Sequence, residues 1–339
     1  MNIRAAIAKL LEPADLSAEQ MQEVMAQILA GKTTPAQAAG FLVALRAKGE
    51  SVEEIVAAAE VLRKHAVDLE ASGDSLIDTC GTGGDAANTF NISTTAAFVV
   101  AAAGGRVAKH GNRSVSSRSG SADVLEAAGV RLDLTPAQVK HCIAQVGIGF
   151  LYAPYHYSAL GHLAAVRREL GVRTLFNLLG PLLNPLGARH QLLGVFDARY
   201  LIPLARVLKR LGSRHALVVH AEDGLDEISL AAPTQVAELK AGEVKTFTIA
   251  PEQFGLSRAP LSAIQVDSVA ESLKIMRSVL AGEPGPASDI VALNAGAAIY
   301  AADLTDSLAS GVEKARAVLA CGAAVEKLNA LIEWTQANE

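Results

Sequence analysis

The hydrophobic period of this chain changes near residue 75, and that change constrains its fold more than any other feature. Before it, every signal is helical. Ser17 with Gln20, Thr34 with Gln37, and Ser51 with Glu54 read as capping boxes, in which a side-chain oxygen satisfies a free N–H at a helix start. Pro35 suits a first helical position, and Gly31 and Gly49 suit helix ends. Phe41, Leu42 and Leu45, then Ile55, Ala58, Ala59 and Leu62, recur at the spacing of one helix face. These features predict a small all-helical domain over residues 1–70, with apolar faces suited to a dimer interface.

From Ser75 onward, short apolar runs alternate with helical patterns. Strands are expected at Leu76–Cys80, Val107–Lys109, Val130–Leu134, Gln191–Phe196 and Ala216–His220. Helices are expected at Ser93–Ala103, at Ala122–Ala128, from Thr135-Pro136 with Gln138 completing a box, and around Leu201–Leu211. Such alternation implies an α/β fold with a mostly parallel sheet covered on both faces. Val236–Leu239 and Val244–Ile249 read as a two-stranded excursion turning at Ala241-Gly242. The last 75 residues read as Ala-rich helices, two of them separated by Glu283-Pro284-Gly285-Pro286. Tyr155–Leu170 looks helical, and Asn177–Pro185, with Pro181 and Pro185, looks like a loop. The stretch from about 155 to 186 is expected to cross back to the helical domain. That leaves 73–154 and 187–339 as a larger α/β domain, with a cleft between the two.

With 339 residues, half of them apolar, the chain can bury substantial cores. A net charge of −5 argues against a generic nucleic-acid binder, and 4% aromatic residues argue against stacking platforms for single strands. Cys80, Cys142 and Cys321 lie far apart without metal-ligand spacing, so reduced thiols in a cytoplasmic protein are expected rather than disulfides or structural zinc. Arg4, Lys9 and Glu12 interrupt the apolar positions at the N-terminus, which therefore does not read as a secretory signal. Apolar runs such as Ala96–Ala103 fall far short of the roughly 18 residues that a membrane span needs.

The chemistry is concentrated in a charge gap. Between Asp85 and Asp123 there is no acidic residue, while those 37 positions hold Arg106, Lys109, His110, Arg113, Arg118 and nine Ser or Thr. In an acidic protein this is a candidate anion site. Gly81-Thr82-Gly83-Gly84-Asp85 follows a strand end, where glycines let backbone N–H groups approach a ligand. Asn91-Ile92-Ser93-Thr94 opens a helix, with free N–H groups at the positive end of its dipole. Lys109-His110-Gly111-Asn112-Arg113-Ser114-Val115-Ser116-Ser117 combines cations, hydroxyls and a glycine. Singly, these read equally as a turn, a cap and a solvated loop; together at the carboxyl edge of a parallel sheet they read as a phosphate site. Neither a Walker A loop nor Gly-x-Gly-x-x-Gly is present.

Pyrophosphate chemistry usually brings Mg²⁺, which takes one or two carboxylates together with phosphate oxygens. Asp223-Gly224-Leu225-Asp226-Glu227 offers acids just after an expected strand, with Asp226 and Glu227 the better pair; a polar loop is the alternative. His156, Tyr157, His162, Arg167 and Arg168 fall on or near one expected helix. An arginine there suits a carboxylate or simply the surface, and His110 and His156 suit a site or polar packing. Cys80 reads as a small buried residue.

These residues resemble the anthranilate phosphoribosyltransferases. The resemblance runs through Asp78 to Asp85, Asn91 to Thr94, Lys109 to Ser117 and Gly120-Ser121-Ala122-Asp123. It continues through Arg167-Arg168-Glu169-Leu170-Gly171-Val172-Arg173-Thr174, Asn177-Leu178-Leu179-Gly180-Pro181 and Asp223 to Glu227. It covers essentially the whole chain, in order. It implies the nucleoside-phosphorylase-like phosphoribosyltransferase fold and a homodimer joined through the helical domain. It also implies transfer of a phosphoribosyl group from phosphoribosyl pyrophosphate (PRPP) to the amine of anthranilate, the second step of tryptophan synthesis from chorismate. By the same resemblance PRPP would be held by Gly81, Gly84, Asp85, Thr89, Asn91, Ile92, Ser93, Thr94, the run Lys109 to Ser117, and Ser121. Mg²⁺ would be held by Ser93, Asp226 and Glu227. Anthranilate would meet Gly81, His110, Asn112, His156, Arg167 and Gly180, with Lys109, Asn112, Arg113 and Arg167 carrying catalysis. One segment departs from the family: a His-His-Pro-Ala-like run is replaced by Tyr155-His156-Tyr157-Ser158-Ala159-Leu160-Gly161-His162, with Tyr157 in place of a histidine. A pyrimidine-nucleoside phosphorylase-like enzyme and a non-catalytic nucleic-acid-binding relative are the alternatives on this fold.

Overall fold

The computed structural model describes residues 1–65, 76–85, 87–114, 118–157, 161 and 163–338. Four helices come first: α1 (Ile3–Leu11), α2 (Ala18–Leu29), α3 (Pro35–Lys48) and α4 (Val52–His65). The expected boxes form at three of them, with Gln20, Gln37 and Glu54 N–H groups donating to Ser17, Thr34 and Ser51 hydroxyls at 3.2–3.3 Å. Glu54 is fully buried because its carboxylate also accepts from Leu16 N at 2.9 Å and Lys48 Nζ at 2.7 Å. The sequence reading missed α1, which is capped by Asn2.

The sheet combines β1 (Leu76–Gly81), β2 (Arg106–Gly111), β3 (Ile148–Tyr152), β4 (His190–Gly194), β5 (His215–Ala221), β6 (Thr234–Lys240) and β7 (Glu243–Ile249). Among the described residues the order is β3-β2-β1-β4-β5-β6-β7. The first five in that order are parallel, and β6 and β7 run antiparallel. The fold is therefore a small helical domain with a larger α/β domain around a mostly parallel sheet.

One face of the sheet carries α5 (Ile92–Ala102), α6 (Ser121–Ala128), α12 (Val269–Leu280), α13 (Pro286–Ala301), α14 (Leu308–Ala320) and α15 (Ala323–Ala337); α7 (Pro136–Val146) lays Val139 and Ile143 on the opposite face, against Ala108 and Leu151. That opposite face also packs against α11 (Leu201–Arg210) and the helical bundle. Leu163, Leu175, Leu179 and Leu183 share that second core with Phe41, Ile55 and Leu62.

Several local expectations are corrected. Val130–Leu134 forms no strand; Val130, Leu132 and Leu134 are buried from an extended link whose Arg131 N–H donates to Thr335 of α15. The edge position belongs to β3, which the sequence reading missed. Its Gly149 lacks a side chain because a Cβ would lie 2.8 Å from both Val139 and Ile143 of α7. Tyr155–Leu170 contains two helices, α8 (Ala153–His156) and α9 (Leu163–Leu170), with Tyr157 in neither. Asn177–Pro185 includes the end of α10 (Leu175–Leu179) and a 3₁₀ turn, Gly180–Leu182. The β6–β7 hairpin is no separate excursion, since β6 pairs with β5 along its length.

Candidate active site

Parallel strands end together, so the loops after β1, β2, β4 and β5 share one edge of the sheet. Gly81 and Gly194 face each other in register at the ends of β1 and β4. Neither has room for a side chain. A Cβ on Gly81 would lie 2.6 Å from Asp226 Oδ2, and one on Gly194 would lie 1.5 Å from the Asp226 carbonyl oxygen. Asp226 thus occupies the space those absent side chains leave. Gly83 N donates to Asp226 Oδ2 at 2.8 Å, and Gly83 and Gly84 both take positive φ, at 66° and 79°. The loop is tied to β4 by Thr82, whose N–H reaches Gly194 O at 2.9 Å and whose Oγ1 accepts from Phe196 N at 3.0 Å.

Asp85, Asp226 and Glu227 gather together, and Lys109 lies beside Glu227. Burial, then the charges of Asp85 and Glu227, holds the Asp226 carboxyl well above the usual carboxylate range. Burial raises Glu227 to about 7, with Asp85 adding to the rise and Lys109 and Ser93 opposing it. Lys109 is only 2% exposed and donates to Thr79 O at 2.5 Å and Ser93 Oγ at 3.4 Å. The raised carboxyls of Asp226 and Glu227 mark acids crowded in a buried place, a repulsion that a bound cation would relieve. Carboxylate and hydroxyl oxygens are hard donors that suit a divalent cation such as Mg²⁺. The donor set of Asp226, Glu227 and Ser93 therefore fits that ion.

The start of α5 lies beside this cluster. Asn91 does not cap the helix with its side chain. Its Nδ2 donates to Ser119 O at 2.8 Å, and its Oδ1 accepts from the Thr94 hydroxyl at 2.8 Å. Ile92 and Thr94 are buried, and Thr89 bridges to Gln265.

In the loop after β2, Asp123 accepts from Ser114 N at 2.9 Å and Gly120 N at 3.0 Å, which fixes its turn. Gly111 packs against Ser121 and Phe150, and Asn112 is exposed. Arg113 points outward, with its fork on Glu126 at 2.7 and 2.9 Å and its guanidinium 5.8 Å from the Tyr152 ring centre. Val115, Ser116, Ser117 and His162 lie outside the described residues.

His110 is held by Asp78 on one ring nitrogen and by Gly180 O, at 2.8 Å, on the other. Burial alone would lower the His110 pKa, but the Asp78 carboxylate raises it; Asp78 itself is held low, against its burial, by His110, Lys109 and Asn184. Asn184 Nδ2 donates to Asp78 at 2.8 Å. His156 is buried, neither ring nitrogen has a hydrogen-bond partner among the described residues, and burial followed by the charge of His110 lowers its pKa. Arg167 is exposed on α9, with its guanidinium 5.6 Å from the Phe176 ring centre.

Ligand atoms of Asp78, Cys80 and His110 also lie within 4.8 Å of one another. Each is already engaged, Cys80 Sγ by Gln191 Nε2 at 3.1 Å, so this cluster is a polar brace. Burial and the Asp78 charge push the Cys80 thiol well up, which agrees with an unreactive residue. The sequence reading gave Asp78, Asn184 and Arg173 no role. The signal for Asp78 was present: an acid between Ile77 and Thr79 in a buried strand needs a partner.

The fold and this edge define a glycosyl transferase. Residues 4–66 match the helical bundle domain of the glycosyl transferase family, and residues 73–325 match its a/b domain. An anthranilate phosphoribosyltransferase of Thioalkalivibrio sulfidiphilus (strain HL-EbGR7) is 62% identical over 335 residues, 99% of both chains. The crystal structure of anthranilate phosphoribosyltransferase from Thermus thermophilus has a TM-score of 0.92 at 46% identity, covering 98% of this chain and 99% of that one. The Saccharomyces cerevisiae enzyme, solved in complex with PRPP and Mg, has a TM-score of 0.90 at 28% identity, covering 99% and 98%. The chain belongs to the anthranilate phosphoribosyltransferase family, and is a pentosyltransferase of tryptophan biosynthesis.

Proposed function

We propose that the three loops at the carboxyl edge of the sheet hold PRPP, and that Ser93, Asp226 and Glu227 hold its Mg²⁺. The enzyme transfers the phosphoribosyl group of PRPP to the amine of anthranilate, giving N-(5-phosphoribosyl)anthranilate and pyrophosphate. The observation that carries the site assignment is Asp226, seated over the glycine ends of β1 and β4 beside Asp85 and Glu227. The yeast relative's complex with PRPP and Mg supports it.

Breaking the C1–pyrophosphate bond leaves positive charge on the ribose and negative charge on the leaving group. Bound Mg²⁺ supplies charge neutralisation to the pyrophosphate oxygens. Lys109, buried and already oriented by Thr79 and Ser93, adds a fixed positive charge without reorganisation. Backbone N–H groups of Gly84, Asp85 and the first turn of α5 line the same edge. Arg113, engaged with Glu126, steadies the β2 loop from outside. The aryl amine is neutral at pH 7 and attacks without prior deprotonation, so catalysis rests on positioning. Anthranilate sits toward Asn112, His110, Gly180, His156 and Arg167. Arg167 holds its carboxylate, and His156 offers ring nitrogens that have no hydrogen-bond partner among the described residues.

Residues 1–70 and about 155–186 work as one domain, supported by their shared apolar core. The chain works in the cytoplasm as a homodimer through that domain. In support, Leu11 and Val43 of the bundle are 67% and 44% exposed, and no helix among the described residues is long and apolar enough to cross a membrane. The test is anthranilate fluorescence with purified protein, PRPP and Mg²⁺. A decay that needs every component and stops with chelator is expected; persistent fluorescence beside an active control enzyme overturns the reading.

A further inference from the structure

Gly83 and Gly84 give the first loop its shape, and glycines at positive φ carry no rigidity of their own. Thr82 and the Gly83–Asp226 bond anchor its first half, and a further contact holds Gly84. Arg173 lies in the short link between α9 and α10, far from the loop in sequence. Its Nη2 donates to the carbonyl oxygen of Gly84. Its guanidinium carbon stands 4.2 Å from the centre of the Phe196 ring, close enough for stacking. Gly84 fits the same contact, because a Cβ there would meet Arg173 Nε at 3.3 Å.

Phe196 is itself fixed on both sides. Its N–H holds Thr82 of the loop at 3.0 Å. Its ring meets Tyr200 edge-on at 5.4 Å, and the Tyr200 hydroxyl donates to Glu50 of the helical bundle at 3.0 Å and accepts from Arg46. A continuous set of contacts therefore runs from α3 through Tyr200, Phe196 and Arg173 to Gly84.

We propose that Arg173 is a positioning residue for the phosphoribosyl substrate, holding the glycine loop in its binding shape from the link between α9 and α10. The inference rests on the loop being the PRPP site. A preorganised loop loses less freedom when the substrate binds, so removing the brace weakens PRPP binding and leaves anthranilate binding alone. Lysine keeps the charge but loses both the planar fork and the stack.

The test compares Arg173→Met and Arg173→Lys with the unaltered enzyme in steady-state assays and thermal melts. Arg173→Met is expected to raise the PRPP KM about tenfold, the scale of one hydrogen bond from a charged donor. Anthranilate KM and Tm are expected to stay nearly unchanged, and Arg173→Lys to recover part of the loss. An unchanged PRPP KM, or equal rises in both KM values, overturns the proposal. Should Arg173→Met fail to fold, Arg173→Lys decides alone: a rise confined to PRPP supports the brace, and no rise rejects it. An unaltered enzyme that fails to consume anthranilate instead overturns the site reading beneath it.

Discussion

At the scale of single residues, the site is shaped as much by missing side chains as by those present. Gly81→Ala places a methyl group 2.6 Å from Asp226 Oδ2, and the carboxylate must move. A misplacement of about 1 Å at a reacting centre costs about a hundredfold, so kcat/KM is expected to fall by that order while circular dichroism stays native. Unchanged activity would show that Asp226 has no role in the site. The Asp78–His110 pair carries a second prediction. Asp78 is held low, so its contribution is present above about pH 4 and fades on acidification through the folded value. His110 is raised, so its contribution is full below about pH 6.5 and fades as pH rises through the folded value. Stability from the pair is therefore greatest between those limits. Asp78→Asn is expected to cost about 3–5 kcal/mol at pH 6 and to remove the loss of stability with rising pH. Urea unfolding at pH 6 and pH 9 measures both, and parallel pH profiles for the two proteins would refute the pairing. Asp226 and Glu227 were legible because they sit in one short run. The partners of Asp78 were not, since Asn184 is 106 positions away and only the fold brings it near.

At the scale of elements, helix starts were readable because their chemistry is local. Ser17, Thr34, Ser51 and Thr135 each find a partner three residues on. Strands were less readable, because apolar alternation reports burial and not the hydrogen-bond partner. Val130, Leu132 and Leu134 alternate as a strand would, yet are buried without joining the sheet. In β3 the opposite happens: Gly149 breaks the pattern, and the strand persists because α7 needs the space. The β6–β7 turn was readable, although the edge it extends was not. Ala241 and Gly242 take φ of 50° and 78°, the pair of left-handed residues that a tight type I′ hairpin demands. Alanine tolerates that backbone poorly. Ala241→Asn is expected to stabilise the protein by about 0.5–1 kcal/mol and raise Tm by about 1–3 °C, measured by calorimetry. A lower Tm would show that the alanine methyl contributes packing that outweighs the backbone cost.

At the scale of the whole molecule, the helical bundle has two sides with different work. One side shares a core with Leu193 and Val218 of the sheet and Leu204 of α11, so it cannot leave without exposing that core. The other carries Leu11 on α1 and Val43 on α3, both exposed, on helices that pack against each other. Exposed aliphatic side chains are ordinary one at a time. What makes these a candidate contact is their place on helices that supply no residue to the loops proposed to hold PRPP. A second copy meeting the first there about a twofold axis would bury the same patch on both, as a closed dimer requires. Val43→Glu then puts two like charges into the interface, one from each copy. Sedimentation is expected to show a dimer for the unaltered protein and a monomer for Val43→Glu, with the fold intact by circular dichroism. Because the proposed site draws on one chain, the monomer should still convert anthranilate, though with a lower Tm. A dimer that survives Val43→Glu would place the contact on another face, and a monomer in both proteins would remove the interface altogether.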